Sequence, residues 1–200
     1  QTRYLVIVPS LALGDEYSEC GTVINSGNIK NVQQQITRAV QSNTRVIVIT
    51  QAAFLNFPNK RLLCDNRTVI QDEHLEVFTV KNWRMDNHLD WLPMFVVTPS
   101  EFDGWYRVSV NTTLVDDFLA AEDMFDDKQL IEDLLATPHL LFTNTASLQP
   151  ESRLFRTISP EVYAGADAVH IACANFTATR QYQIWSRLYG VVFDVTQPFK

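Results

Sequence analysis

The sequence predicts an α/β (or α+β) fold: a single layered domain with a mixed, mainly buried β-sheet flanked by four or five helices. Three observations carry that expectation. Residues 4–8 (YLVIV) and 45–49 (RVIVI) are apolar, β-branched runs without polar alternation, the pattern of strands covered on both faces. Between them Ile29, Val32, Ile36 and Val40 recur at helical spacing on one face. A helical run later closes at Gly190 and leads into a third apolar run, 191–195 (VVFDV). Strands alternating with amphipathic helices indicate layers packed around one core.

The elements follow in order. Residues 4–9 read as a buried strand ending at Pro9, then 10–28 as a long loop. Asn28 is a plausible N-cap for the helix of the Ile29 stripe, and Ser42-Asn43 ends it before the 45–50 strand. Asp65-Asn66 marks a turn between 61–64 and 68–71. Residues 75–80 alternate as a half-exposed strand, 82–93 read as loop, and 94–98 read as a buried strand stopped by Pro99. Asp103-Gly104 is a turn into a strand at 105–110. Thr113 with Asp116 resembles a capping box, and apolar stripes from Leu114 to Leu135 predict two helices ended by Thr137-Pro138. Residues 140–143 form a short strand. Ser159-Pro160-Glu161 starts a helical pattern that runs to Tyr189 with a break near 175–179.

Bulk composition narrows the function classes. The 200 residues are 46% hydrophobic and carry a formal net charge of −7, with no run of three Lys/Arg, which argues against nucleic-acid partners. No apolar stretch approaches the roughly 20 residues of a membrane span, so no membrane insertion is expected. The chain starts at Gln1 and reads as a processed or excised part of a longer chain. Only six glycines occur in 200 residues, and neither GxGxxG nor GxxxxGK[ST] is present, so no nucleotide cofactor is expected.

Chemistry-bearing residues are sparse in pattern. Cys20, Cys64 and Cys173 form no CxxC pair; they read as free thiols or as one disulfide plus a free thiol. His74, His88, His139 and His170 form no HxH, HxxxH or HExxH motif, so no metal site is expected. His170 and Cys173 fall in one apolar run read as helix, where attack geometry between them is rare. The doublets Asp116-Asp117, Glu122-Asp123, Asp126-Asp127 and Glu132-Asp133 read as a solvated helix face. Asn66, Asn111 and Asn175 begin Asn-x-Ser/Thr sequons, candidate glycosylation sites that lean towards a secreted or lumenal setting.

Ligands of open α/β sheets gather beyond the carboxyl ends of parallel strands. If the 4–8, 45–50 and 94–98 strands are parallel, Ser10, Asp15, Glu16, Thr50, Gln51, Ser100, Glu101 and Asp103 share one rim. Were the chain a transferase or hydrolase, its acid–base residues are expected among Asp15, Glu16, Glu101 and Asp103. With no catalytic signature, the favoured expectation is a non-catalytic structural or protein-interaction domain, its partners other protein subunits.

Overall fold

A computed structural model describes residues 2–27, 31–84, 93–115, 139–149 and 151–196. It is of the expected α/β class, with strands of both senses and five α-helices among the described residues. The chain divides into two compact units, Gln1–Leu75 with Pro160–Lys200, and Glu76–Ser159. Along the sequence the second unit is therefore an insertion into the first. Parallel and antiparallel strands are sorted into separate five-stranded sheets, one per unit.

The parallel sheet contains β1 (Tyr4–Val8), β2 (Thr22–Ile24), β3 (Val46–Thr50), β4 (Thr68–Asp72) and, last of the ten strands among the described residues, β10 (Ala168–Ala172). Its order is β10-β4-β1-β3-β2, every neighbouring pair parallel. The two apolar runs thus occupy adjacent interior positions, with Tyr4 opposite Val46 and Val8 opposite Thr50. Leu5, Ile7, Val8, Ile47 and Val48 are all 0% exposed, so both faces are covered. Each such side chain contributes about 1.5–3 kcal/mol by leaving water.

Short helices turn the chain between these strands. Ser10 and Thr50 cap α1 (Leu11–Glu16) and α3 (Gln51–Asn56), their hydroxyls accepting from the amides of Leu13 and Ala53. The predicted long loop at 10–28 therefore holds both α1 and β2. Helix α2 (Val32–Gln41) buries Ile36 and Ala39, and its N-cap is Asn31 rather than Asn28, which lies outside the described residues. Residues 61–64 belong to α4 (Lys60–Cys64), capped by Asn59, followed by the expected turn with Asn66 at φ 52°.

The C-terminal part departs most from expectation. Pro160–Tyr163 is only a 3-10 turn, and the predicted helix gives way to β10, an edge strand pairing Ala168–Ala172 with Thr68–Asp72. The helix resumes as α5 (Arg180–Leu188), capped by Thr179. Residues 191–195 are neither strand nor buried: Val192 is 94% exposed. Gly190, at φ 66°, reverses the chain while the Tyr189 and Val191 amides donate to the Trp185 carbonyl. Phe193 then packs on Phe176, Tyr182 and Trp185, so aromatic contact rather than sheet pairing holds this segment.

The antiparallel sheet has the order β5-β9-β8-β7-β6, from β5 (Phe78–Arg84), β6 (Phe95–Pro99), β7 (Tyr106–Val110), β8 (His139–Thr143) and β9 (Glu151–Ile158). Met94, Phe95, Val108, Val115, Leu141, Leu148 and Leu154 form its core. The 94–98 run is not a buried strand. As the edge strand β6 it buries Phe95 and exposes Val96, Thr98 and Pro99. Strand β9, an interior strand paired with β5 and β8, has no counterpart among the elements expected from sequence. The acidic doublets from Asp116 to Asp133, and His88, lie outside the described residues.

Candidate functional site at the carboxyl rim of the parallel sheet

The carboxyl ends of β1, β3, β4 and β10 deliver Ser10, Thr50, Asp72 and Cys173 to one rim of the parallel sheet. The connection from β1 leads towards β2 on one side, and the connection from β4 leads towards β10 on the other. The switch point of the topology therefore lies between β1 and β4. One hydrogen bond crosses it: the Tyr17 hydroxyl, just past α1, donates to Asp72 Oδ2 at 3.0 Å. Burial, then the hydrogen bond and charge of Asp72, pushes the Tyr17 hydroxyl above its ordinary range.

Beyond β4 the turn 73–75 is clamped by three glutamines. Gln71 Nε2 donates to the Glu73 carbonyl at 2.6 Å, and Gln51 Nε2 donates to the His74 carbonyl at 3.0 Å. Gln181 Oε1 accepts from the Leu75 amide at 2.8 Å and from Gln71 Nε2 at 3.0 Å. The Tyr163 hydroxyl completes the network by donating to Gln71 Oε1. Gln71 and Gln181 are 0% exposed, and such a network is stable because its members satisfy one another. Gln181 and Trp185 are one turn apart on the buried face of α5, so helix period sets the position of the amide. The clamp holds Glu73 in the left-handed region at φ 72°, a conformation that costs a non-glycine residue of the order of 1 kcal/mol.

This turn meets the end of β10. Cys173 Sγ donates to Glu73 Oε2 at 3.4 Å and stands 3.8 Å from His74 Nδ1, while His74 Nδ1 is 3.9 Å from Glu73 Oε2. The three donor atoms form a triangle at the surface, with the His74 and Glu73 side chains 42% and 50% exposed. Burial, then the hydrogen bond and charge of Glu73, pushes the Cys173 thiol up. The arrangement differs from a nucleophile–base–acid relay, in which the imidazole presents one nitrogen to the thiol and the other to the carboxylate. Here one nitrogen faces both.

Of the residues expected on the rim, Asp15 and Glu16 stand there, both exposed on α1. Thr50 is buried as a cap, and Gln51 serves the clamp. Ser100, Glu101 and Asp103 do not follow a parallel strand: β6 pairs antiparallel with β7, and these residues form its hairpin turn in the other unit. Glu101 accepts from Arg107 at 2.6 Å, which helps hold its carboxyl below the usual range, together with a larger effect of its own backbone amide. Cys20, Cys64 and Cys173 are all free thiols, and His170 is an exposed residue of β10, not a helical one.

The sequence reading missed Tyr17, Asp72, Glu73 and His74 as rim residues and placed Cys173 on a helix. Cys173 lies 100 residues from Glu73, so no spacing motif links them. The usable signal was positional: Asp72-Glu73-His74 follows a β-branched run just after a turn, where a strand-end loop begins. No protein-family model, curated protein or solved structure matches this chain.

Proposed function

We propose that this chain is a non-catalytic structural or protein-interaction domain of a larger assembly, with the carboxyl rim of its parallel sheet as the binding face. The observation that carries this reading is the triangle of Cys173, His74 and Glu73, whose donor atoms converge on one point instead of forming a relay. A raised thiol is a weak nucleophile, which tells against covalent chemistry at Cys173. The transferase or hydrolase alternative has less support. Asp15 and Glu16 are exposed, and Glu101 is spent on Arg107, whereas a general acid needs partial burial.

The same reading takes Asn66 and Asn175 as glycan attachment points in a secreted or lumenal setting, since both are exposed in left-handed turns. Asn111 is less suited, because its Oδ1 caps the 3-10 turn Thr112–Leu114.

Alkylation kinetics test the binding reading. In the wild type and in C20S, iodoacetamide should modify Cys173 slowly at neutral pH, with a rate midpoint at or above that of an ordinary thiol. Rapid modification with a midpoint below pH 7, lost in H74A, would identify a nucleophile–base pair and overturn it.

A further inference from the structure

We propose that Glu73, His74 and Cys173 form a binding site for one divalent ion of the zinc class, with a fourth position open to water or an incoming ligand. The inference rests on reading the rim as a binding face and names what it takes.

Donor chemistry narrows the ion. A thiolate, an imidazole and a carboxylate are the three protein donors of zinc, and the sulfur disfavours magnesium and calcium, which take oxygen. Together the thiolate and carboxylate offset the double positive charge. Geometry agrees. A tetrahedral ion with metal–sulfur near 2.3 Å and metal–nitrogen or –oxygen near 2.0–2.1 Å places its ligand atoms about 3.3–3.6 Å apart. The observed separations are 3.4, 3.8 and 3.9 Å. Closing the triangle needs shifts of a few tenths of an ångström, within the freedom of partly exposed side chains. The fold also prepares the site. Glutamine hydrogen bonds hold the carbonyls of Glu73 and His74 and the amide of Leu75, while strand pairing fixes Ala172 beside Asp72, immediately before Cys173 and Glu73. Two ligands adjacent in sequence and a third on the neighbouring strand end are thus brought together by backbone that is itself pinned. On binding, the Cys173 S–H bond breaks, sulfur bonds to the metal through its lone pair, and the proton leaves to solvent.

The test is titration of the full chain with Zn²⁺ in competition with a chromogenic chelator, and with Co²⁺ to read thiolate coordination. The wild type should take one equivalent at micromolar or lower concentration, and Co²⁺ should produce a thiolate-to-metal charge-transfer band. C173S should abolish that band, and C173S and H74A should each weaken Zn²⁺ binding about tenfold or more. C20S, which removes the exposed thiol in the turn after α1, should change neither readout. Near-ultraviolet circular dichroism checks folding, and H74Q replaces any variant that fails it. No saturable binding below millimolar Zn²⁺, or binding that survives both C173S and H74A, overturns the proposal. That failure would leave the alkylation result intact, whereas fast alkylation at low pH would sink the binding reading whatever the Zn²⁺ stoichiometry.

Discussion

Replacing Gln181 with Met removes the amide at the centre of the clamp while keeping the side chain's length. Gln181 is 0% exposed, and its Oε1 accepts from the Leu75 amide at 2.8 Å and from Gln71 Nε2 at 3.0 Å. Gln71 Nε2 retains the Glu73 carbonyl, so its loss is partial. The Leu75 amide is left buried without this acceptor, which costs about 1–3 kcal/mol. The expected destabilisation is therefore about 2–3 kcal/mol, with little cavity contribution because Met nearly conserves volume. Urea denaturation followed by tryptophan fluorescence, to which Trp185, itself 2% exposed and one turn along α5, contributes, reads the change as a lower midpoint at unchanged slope. A cycle with Q71M should be non-additive, because each change already breaks the shared bond. A Q181M midpoint equivalent to less than 0.5 kcal/mol, or strict additivity, would refute the claim that this network holds the rim turn.

Three further outcomes are expected. Burial pushes the Cys64 thiol from 9.0 to about 12, so above pH 9 the unfolded chain binds fewer protons than the native one and stability falls with pH. That contribution is fully present below pH 9 and lost between 9 and 12. Wild type should lose roughly 1 kcal/mol more than C64A between pH 8 and 10, and equal losses would contradict it. In G21A the new Cβ meets Val46 Cγ1 at 2.6 Å and the Val46 carbonyl at 2.8 Å, so overpacking should cost about 1–3 kcal/mol by chemical denaturation, and no cost would show the β2–β3 contact to be loose. We propose that the 200 residues fold as one domain, since the first unit's sheet is completed only by β10, after the insertion; calorimetry should show one transition, and two resolved transitions would refute it.

The legible parts of the fold were those whose burial is written in unbroken composition. The 4–8 and 45–49 runs lack polar alternation because both faces are covered, and they form the sheet's interior. The 191–195 run has similar composition, yet it joins neither sheet, and Phe193 packs in an aromatic cluster instead. Ala168–Ala172 reads as helix locally, and only the free edge of β4 makes it a strand, a tertiary effect that outweighs propensity. The strand-end rule gave the address of the candidate site but not its residues. Glu73 and His74 meet Cys173 only once β4 and β10 are known to be neighbours.

The late arrival of β10 also shapes how the chain comes to be folded. During synthesis the first four parallel strands emerge together, while the segment that covers β4 is about a hundred residues behind. Until then β4 presents an unpaired edge, and Gln71 lacks both Tyr163 and Gln181. Such a nascent sheet has a long wait for its last contacts, slow closure by loop entropy, and a template open to other chains. The rim turn is thus among the last parts of the molecule to take its final form, and the triangle of Glu73, His74 and Cys173 forms only once β10 has paired with β4.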